Sequence, residues 1–203
     1  MITIIDYGLG NIGSVTNTCD ALGLPCSVSA DPLVVGSAAA LLLPGVGAAG
    51  VGMANLKARK LDAAIRDAIA RGVPFIGFCL GMQLLFDYSE EADTQCLGVV
   101  PGNVIKFRAE KKVPQIGWNT VTVNGRNPAA VRLFDRIPDA EFYFVNSYYP
   151  VPKNDNVIAA TTQYGEPFAS AIAYENVFAT QFHPEKSGAA GRQLLTNFIK
   201  ENL

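Results

Sequence analysis

VPFIGFCLGMQLL, at residues 73–85, joins an apolar strand to a helix through a single cysteine. Val73–Phe78 is a short apolar run, which is typical of a strand buried on both faces of a parallel sheet. Three leucines, beginning at Leu80, then recur at helical spacing. Cys79 lies at the junction, and the glycines on either side of it allow a turn too tight for larger side chains. This pattern is a nucleophile elbow, so Cys79 is a candidate nucleophile at the carboxyl end of a strand.

Strands and helices alternate through the first half of the chain, which predicts a parallel sheet covered on both faces. The uncharged stretch Pro32–Leu56 is long enough to span a membrane. Its prolines and glycines would break a lipid-exposed helix, so we interpret it as a buried strand, residues 38–43, followed by a glycine-rich loop. The other segments predicted here are strands at residues 2–5 and 26–29, a helix at residues 11–22 with Asn11 as its N-cap, and a helix from Leu61 that ends at Gly72.

Strands dominate the second half, with turn residues such as Asn124-Gly125 between some of them. The predicted strands cover residues 99–106, 120–123, 142–145, 157–162, 168–174 and 177–180, and a final helix covers residues 187–202. We therefore expect one α/β domain over residues 1–203. Its central sheet is mostly parallel and flanked by helices, with additional antiparallel strands in the second half.

The composition argues against several classes of function. The 203 residues carry a net charge of -2 and are 49% apolar, which gives no electrostatic reason to expect nucleic acid or a membrane as partner. The four cysteines form no CxxC pair and the chain has one histidine, so no metal site and no cofactor are expected. The N-terminus has no basic segment typical of a secretory signal, so we expect a cytoplasmic protein with reduced thiols.

QFHPE, at residues 181–185, follows a predicted strand and contains the one histidine of the chain. If Cys79 needs an imidazole base, His183 is the only candidate. A catalytic base is itself held in one tautomer by a third group, and Glu185 is near enough in sequence to reach the far ring nitrogen. The alternatives are a histidine that makes only structural hydrogen bonds and a Cys79 that is simply buried in the core.

GLGNIG, at residues 8–13, fits the dinucleotide-binding fingerprint GxGxxG, and Asp31 lies about where a ribose-binding acid is expected. A redox or nucleotide-binding module is therefore a rival interpretation. Nothing downstream indicates a hydride-acceptor site, and the same glycines also serve a tight strand-to-helix turn.

The elbow and the histidine motif together resemble the class I (triad) glutamine amidotransferases. The family signatures are matched by GFCLGMQ at residues 77–83 and FHPE at residues 182–185. The HisH family, the glutaminase subunits of imidazole glycerol phosphate synthase, is resembled by DYGLGN at residues 6–11, LPGVG at 43–47, IGWN at 116–119 and HPEKS at 183–187. The resemblance covers essentially the whole chain. It implies L-glutamine as substrate, Cys79 as nucleophile, His183 as base and Glu185 as the group that orients the base.

The resemblance also implies how the substrate is held. The N–H group of Leu80 would bind the oxyanion, together with an N–H group from the strand that contains Gly45, Val46 and Gly47. Gln83 and the backbone at Ser147 and Tyr148 match family positions that hold the substrate glutamine.

A partner subunit is implied as well, because we recognise no acceptor site for ammonia within these residues. The family's partner is a HisF-type (β/α)8-barrel cyclase, which forms a heterodimer with the glutaminase. Asn11, Trp118 and Lys186 are the residues expected to face it. Trp118 as an ordinary core residue is an equally good interpretation from the sequence.

Two positions depart from the family pattern. Gln115 and Asn146 occur where many members carry histidine. Neither position belongs to the triad, so hydrolysis is not in doubt, but a paralogue that serves another synthase, such as one making a surface sugar, stays open. A stand-alone cysteine hydrolase of the same fold is a further alternative, against which the glycine strand at residues 45–47 favours a partnered subunit.

Overall fold

An eight-stranded mixed sheet forms the centre of the structure, a computed structural model that describes residues 1–108, 112–137 and 140–202. In chain order the strands are β1 Ile2–Ile5, β2 Cys26–Ser29, β3 Ala40–Leu43, β4 Phe75–Phe78, β5 Tyr88–Ser89, β6 Thr94–Gln95, β7 Gly102–Lys106, β8 Gln115–Thr120, β9 Thr122–Val123, β10 Glu141–Asn146, β11 Tyr148–Pro152, β12 Ile158–Tyr164, β13 Glu166–Tyr174 and β14 Val177–Thr180. The α-helices are α1 Ile12–Ala21, α2 Pro32–Gly36, α3 Ala49–Ala58, α4 Leu61–Ala70, α5 Leu80–Gln83, α6 Pro128–Leu133 and α7 Gly188–Asn202.

The strand order of the central sheet is β2-β1-β3-β4-β14-β13-β12-β9. The strands from β2 to β14 are parallel, and β13, β12 and β9 continue the sheet antiparallel. The predicted α/β architecture, parallel first and partly antiparallel later, is therefore confirmed. Phe78 pairs with Thr180 at the carboxyl ends of β4 and β14. This register brings the elbow and the histidine motif to the same edge of the sheet.

Each face of the central sheet packs against its own apolar cluster. Successive side chains of one strand point to opposite faces, so Leu42 joins one cluster while Leu41 and Leu43 join the other. Helices α1, α6 and α7 cover the first face, and α2, α3 and α4 cover the second. Because both faces are covered, every residue of β3 is apolar and buried.

The uncharged stretch at residues 32–56 differs from the prediction, because α3 occupies most of the segment expected to be a loop. Gly52 lies within α3 against Leu84, whose Cδ1 would be 3.1 Å from a Cβ at this position. The Glu91 carboxylate accepts a hydrogen bond of 2.7 Å from the N–H group of Ala49 and caps the helix. Tertiary contacts thus stabilise a helix that its glycines disfavour. Within the described ranges, no helix is long and apolar enough to cross a membrane.

The helix after Cys79 is shorter than predicted. It ends at Gln83, and the buried residues Leu84 and Leu85 lie beyond it. Their carbonyl groups accept hydrogen bonds from Leu97, at 2.9 Å, and from Val99, at 2.8 Å. The last turn tightens to i→i+3 bonds, in which Leu85 donates to the carbonyl of Met82 at 3.2 Å and Phe86 donates to that of Gln83 at 3.3 Å, and the chain then leaves the helix. The prediction also missed the short elements α2, α6, β5, β6, β8 and β11.

Candidate active site

Cys79 has a strained backbone conformation, with φ 51° and ψ −106°. Its N–H group donates to the carbonyl of Thr180 at 2.7 Å, which ties the elbow to the neighbouring strand β14. A Cβ at Gly77 would lie 2.8 Å from the carbonyl oxygen of Gly81, and a Cβ at Gly81 would overlap the carbonyl oxygen of Leu43. Glycine is therefore required on both sides of the cysteine, as the sequence predicted.

His183 and Glu185 form a buried pair directly after β14. The Nδ1 atom of His183 lies 2.8 Å from Oε1 of Glu185, and both side chains are shielded from solvent. Nε2 has no hydrogen-bond partner among the residues that the structure describes. The Cys79 thiol instead donates to the carbonyl of Val145 at 3.7 Å. Glu185 thus lies where the prediction requires it to orient the ring through Nδ1, and Nε2 stays available.

The protonation of His183 is set by competing effects. Burial disfavours the charged ring, but the Cys79 thiolate and the Glu185 carboxylate outweigh it and raise the pKa of His183 to about 10. An imidazolium is therefore favoured at neutral pH, beside the sulfur of Cys79. Such a pair supplies a nucleophile and an acid in the same site.

The N–H group of Leu80, the expected oxyanion donor, is occupied in this structure. It donates to the carbonyl oxygen of Gly45 at 3.4 Å. Gly45 lies close to the elbow, because a Cβ at this position would be 2.6 Å from Oη of Tyr7 and 2.7 Å from Cβ of Leu80. For the expected oxyanion donors to act together, this peptide would have to turn its carbonyl away from Leu80.

A cavity of about 250 Å³ opens beside Cys79 and collects most of the predicted site residues. Its lining includes Val46, Gly47, Cys79, Leu80, Gln83, Glu91, Pro114, Val145, Asn146, Ser147, Tyr148, His183 and Lys186. Glu185 lies behind His183, and Gly45 lies beneath the elbow.

Glu91 was not predicted from the sequence, and it is the one acidic residue among the described residues that line the cavity. It belongs to the acidic run SEEAD at residues 89–93, and nothing in that run marks one carboxylate above another. Only the helix cap at Ala49 distinguishes it, and that contact joins residues far apart in sequence.

The chain is similar to proteins of a known family over almost its whole length. The family model of class-I glutamine amidotransferases matches residues 3–202. HisH subunits of imidazole glycerol phosphate synthase are similar over almost the whole length: the protein of Dehalococcoides mccartyi strain 195 is 46% identical, over 98% of this chain and 97% of its own. The Moorella thermoacetica protein is 48% identical, over 97% and 93%. The chain belongs to the HisH family of class I glutamine amidotransferases.

Solved structures confirm the fold. A glutamine amidotransferase crystal structure matches with a TM-score of 0.75 at 17% identity, covering 98% of both chains. The glutaminase domain of Trypanosoma brucei CTPS with bound acivicin matches with a TM-score of 0.68 at 15% identity, over 98% of this chain and 93% of that one. Sequence identities this low bear on the fold alone.

Trp118 lies on the surface, so its interpretation as a core residue is wrong. It is 56% exposed, on β8, and packs edge-on against Tyr143 of β10 with ring centroids 6.1 Å apart. The Nζ atom of Lys186 lies 5.9 Å from the centre of the Tyr143 ring. Ile116 is also exposed on β8. We call these four residues the ribbon face; it adjoins the cavity, which Lys186 also lines.

Asn11, the third residue expected at an interface, has a structural role. Its side chain accepts a hydrogen bond from the N–H group of Ser14 at 3.1 Å and caps α1, as predicted from the sequence. The residue is also exposed to solvent.

The residues of the dinucleotide fingerprint also have structural roles in this family member. Gly10 has φ +107°, and a Cβ there would lie 3.3 Å from the backbone of Pro44. Asp31 caps α2 by accepting a hydrogen bond of 2.8 Å from Leu33. The glycines therefore serve a strand-to-helix turn packed against Pro44, which removes the reason to infer a nucleotide.

Gln115 and Asn146, which depart from the family pattern, face each other in the register of β8 and β10. Both side chains are buried. Among the described residues, neither amide atom of Gln115 has a hydrogen-bond partner, and Oδ1 of Asn146 also has none. Asn146 lines the cavity, so this replacement changes the polar surface that a substrate meets.

Proposed function

We propose that this chain hydrolyses L-glutamine to glutamate and ammonia, and that it passes the ammonia to a separate cyclase subunit for imidazole glycerol phosphate synthesis in histidine biosynthesis. The observation that carries the proposal is the Cys79 elbow, which shares one cavity with the His183–Glu185 pair. We also propose that residues 1–203 act as one domain in the cytoplasm, where a catalytic thiol stays reduced.

The arrangement supports hydrolysis in two steps. The Cys79 thiolate attacks the side-chain carbonyl carbon of glutamine, and the His183 imidazolium gives its proton to the departing ammonia, which leaves a glutamyl thioester. Water then attacks the thioester with His183 as base, which releases glutamate and regenerates the protonated pair. N–H groups of Leu80 and the 45–47 strand stabilise the oxyanion of each tetrahedral intermediate.

The cavity offers complementary groups for an amino acid. We assign the Glu91 carboxylate to the substrate's α-ammonium group, because it is the acidic group in the described part of the lining. Gln83 keeps its Oε1 for the substrate, since its Nε2 already donates to the carbonyl of Tyr148 at 3.0 Å and to Oε1 of Gln181 at 2.9 Å. The backbone at Ser147 and Tyr148 forms the opposite wall.

The ribbon face is our candidate for the partner interface. Exposed tryptophan and isoleucine beside a cavity are unusual unless another molecule covers them, and aromatic residues often anchor interfaces. The similar proteins are named as subunits of imidazole glycerol phosphate synthase. We propose a HisF-type (β/α)8-barrel cyclase that forms a heterodimer on this face, with neither nucleic acid nor membrane involved.

The test of the proposed function is activation by the partner. We expect feeble glutaminase activity in the isolated chain, because Gly45 occupies the N–H group of Leu80. Adding the cyclase with its nucleotide substrate should raise kcat about a hundred- to a thousandfold, which is the usual effect of one oxyanion donor. Glutamate production measures the rate.

Two variants make this test specific. Trp118→Ala should raise the cyclase concentration needed for half-maximal activation, whereas Leu33→Ala, an exposed apolar residue on α2, should not. Full turnover by the isolated chain, or no response to the cyclase, would contradict the proposal.

The pH dependence of the hydrolysis tests the role of Glu185. The carboxylate helps to raise the pKa of His183 to about 10, so its removal lowers that pKa and the ring loses its proton at a lower pH. For Glu185→Gln we expect the alkaline limb of the kcat/KM profile of the complex to move down by about one to two pH units. Glu141→Gln, an exposed carboxylate on β10, is the matched control and should leave the limb in place. An unmoved limb in Glu185→Gln would show that this carboxylate does not act on His183.

A further inference from the structure

A chain of hydrogen bonds between buried amide groups ends at the sulfur of Cys79. We propose that its last member, Gln181, is a catalytic residue that donates an N–H group to the Cys79 thiolate and aims it at the substrate. The inference rests on the proposed function in one respect, that Cys79 is the nucleophile. Gln181 belongs to the QFHPE motif but is not a member of the triad.

The contacts run through three side chains. Nε2 of Gln181 donates to Sγ of Cys79 at 3.6 Å, and Oε1 of Gln181 accepts from Nε2 of Gln83 at 2.9 Å. Nε2 of Gln83 also donates to the carbonyl of Tyr148 at 3.0 Å, and Nδ2 of Asn146 donates to the same carbonyl at 3.0 Å. Gln181 is 0% exposed, so no solvent competes for its amide.

The carbonyl of Tyr148 fixes the direction of the whole chain. A backbone carbonyl can only accept, so Gln83 must present its NH₂ group to it. The same NH₂ group of Gln83 faces Gln181, so Gln181 must present its Oε1 to Gln83. The NH₂ group of Gln181 then faces the sulfur of Cys79. Reversing the Gln181 amide would set two donors against each other and place an oxygen beside the thiolate. The network therefore fixes the orientation of the Gln181 amide, and the positions of its nitrogen and oxygen are not an arbitrary assignment.

The donor at the sulfur offsets an opposing contact. The carbonyl of Val145 accepts from the Cys79 thiol at 3.7 Å, which favours the protonated form. A hydrogen bond to the charged form has the opposite effect and favours the thiolate. Because an amide does not ionise, Gln181 stabilises the thiolate without competing with His183 for a proton.

The contact at the sulfur is not needed to hold the backbone of Gln181. The backbone of Gln181 is already fixed, since its N–H group donates to the carbonyl of Ser170 at 2.9 Å. Burial of an amide costs free energy unless each of its polar groups is bonded, and here one of the bonds is made to the reacting atom.

The experiment measures alkylation of Cys79 by iodoacetamide as a function of pH, in the full-length protein. The Cys79 thiolate displaces iodide and forms a thioether, and mass spectrometry of the peptide that contains Cys79 separates this reaction from the other cysteines. For Gln181→Leu we expect the rate constant at pH 7 to fall about tenfold and the midpoint of the profile to move to higher pH, as for the loss of one hydrogen bond to a charged group.

Gln181→Glu replaces the N–H donor by a carboxyl oxygen. Glutamate has nearly the same shape and still offers an acceptor to Gln83, but it places an oxygen beside the sulfur, so alkylation should be slower than in Gln181→Leu. Ser170→Ala is the matched control. Ser170 accepts the backbone N–H of Gln181, and its own hydroxyl is buried without a hydrogen-bond partner in the described part of the chain, so removal of the hydroxyl should leave the profile unchanged.

A wild-type alkylation profile in both Gln181 variants would overturn the proposal, as would an equal shift in Ser170→Ala. If Gln181→Leu does not fold, as judged by circular dichroism, the glutamate variant alone decides the outcome. Alkylation requires neither glutamine nor a partner. Failure of the wild-type complex to hydrolyse glutamine would therefore refute the proposed function. The alkylation profiles would still decide whether Gln181 acts on the sulfur.

Discussion

Cys79→Ala is expected to abolish glutamine hydrolysis while synthesis driven by added ammonia survives in the complex. Alanine keeps the Cβ and the strained backbone of the elbow, so the variant should fold and bind its partner. It lacks the sulfur that forms the thioester, and no other cysteine lines the cavity. We expect glutamate production to fall at least about a thousandfold, as when a catalytic nucleophile is removed elsewhere.

Two activities are measured on the same preparation, namely glutamate release from glutamine and product formation from ammonium salt. Cys96→Ala, a half-buried cysteine outside the cavity lining, is the control and should retain both. If a folded Cys79→Ala complex lost the ammonia-driven activity as well, Cys79 would have a role beyond hydrolysis.

Gly81→Ala should damage both stability and activity. The added methyl group would overlap the carbonyl oxygen of Leu43 in β3, and this backbone cannot move because β3 lies inside the central sheet. We expect the free energy of unfolding in urea to fall by roughly 3 kcal/mol, since overpacking in a core typically costs this much. The elbow would shift with the helix that follows it, so glutaminase activity should fall at least about a hundredfold.

Gly36→Ala provides the comparison. No atom lies within 4 Å of a Cβ at Gly36, and the residue has no positive φ. This variant should be as stable as the wild type or slightly more so, because alanine reduces the freedom of the unfolded chain. Equal stability of Gly81→Ala and the wild type would show that the sheet yields more easily than its packing indicates.

The sequence indicated which three residues come together at the candidate site, because each requirement for this arrangement is local. Cys79 is marked by the glycines around it, and Glu185 lies two residues from the one histidine. Bringing the two motifs together needed only the rule that parallel strands end at the same edge. Their pairing across β4 and β14 is the simplest outcome of that rule.

Other features depend on contacts between distant segments, and these the sequence did not reveal. Helix α3 forms despite its glycines because Leu84 packs on it and Glu91 caps it. The same hydrogen bond holds Glu91 in the cavity wall. Because this contact was not predicted, neither helix α3 nor the position of Glu91 was predicted. Trp118 is a similar case, because an alternating strand was not recognised at β8 and without it the side chain had no defined face.

The bond between Leu80 and Gly45 has a consequence for metabolism. If this peptide turns only when the cyclase is engaged, consumption of glutamine follows the supply of acceptor nucleotide and not the size of the glutamine pool. A cell rich in glutamine but short of the nucleotide would then keep its nitrogen for other pathways and release no free ammonia.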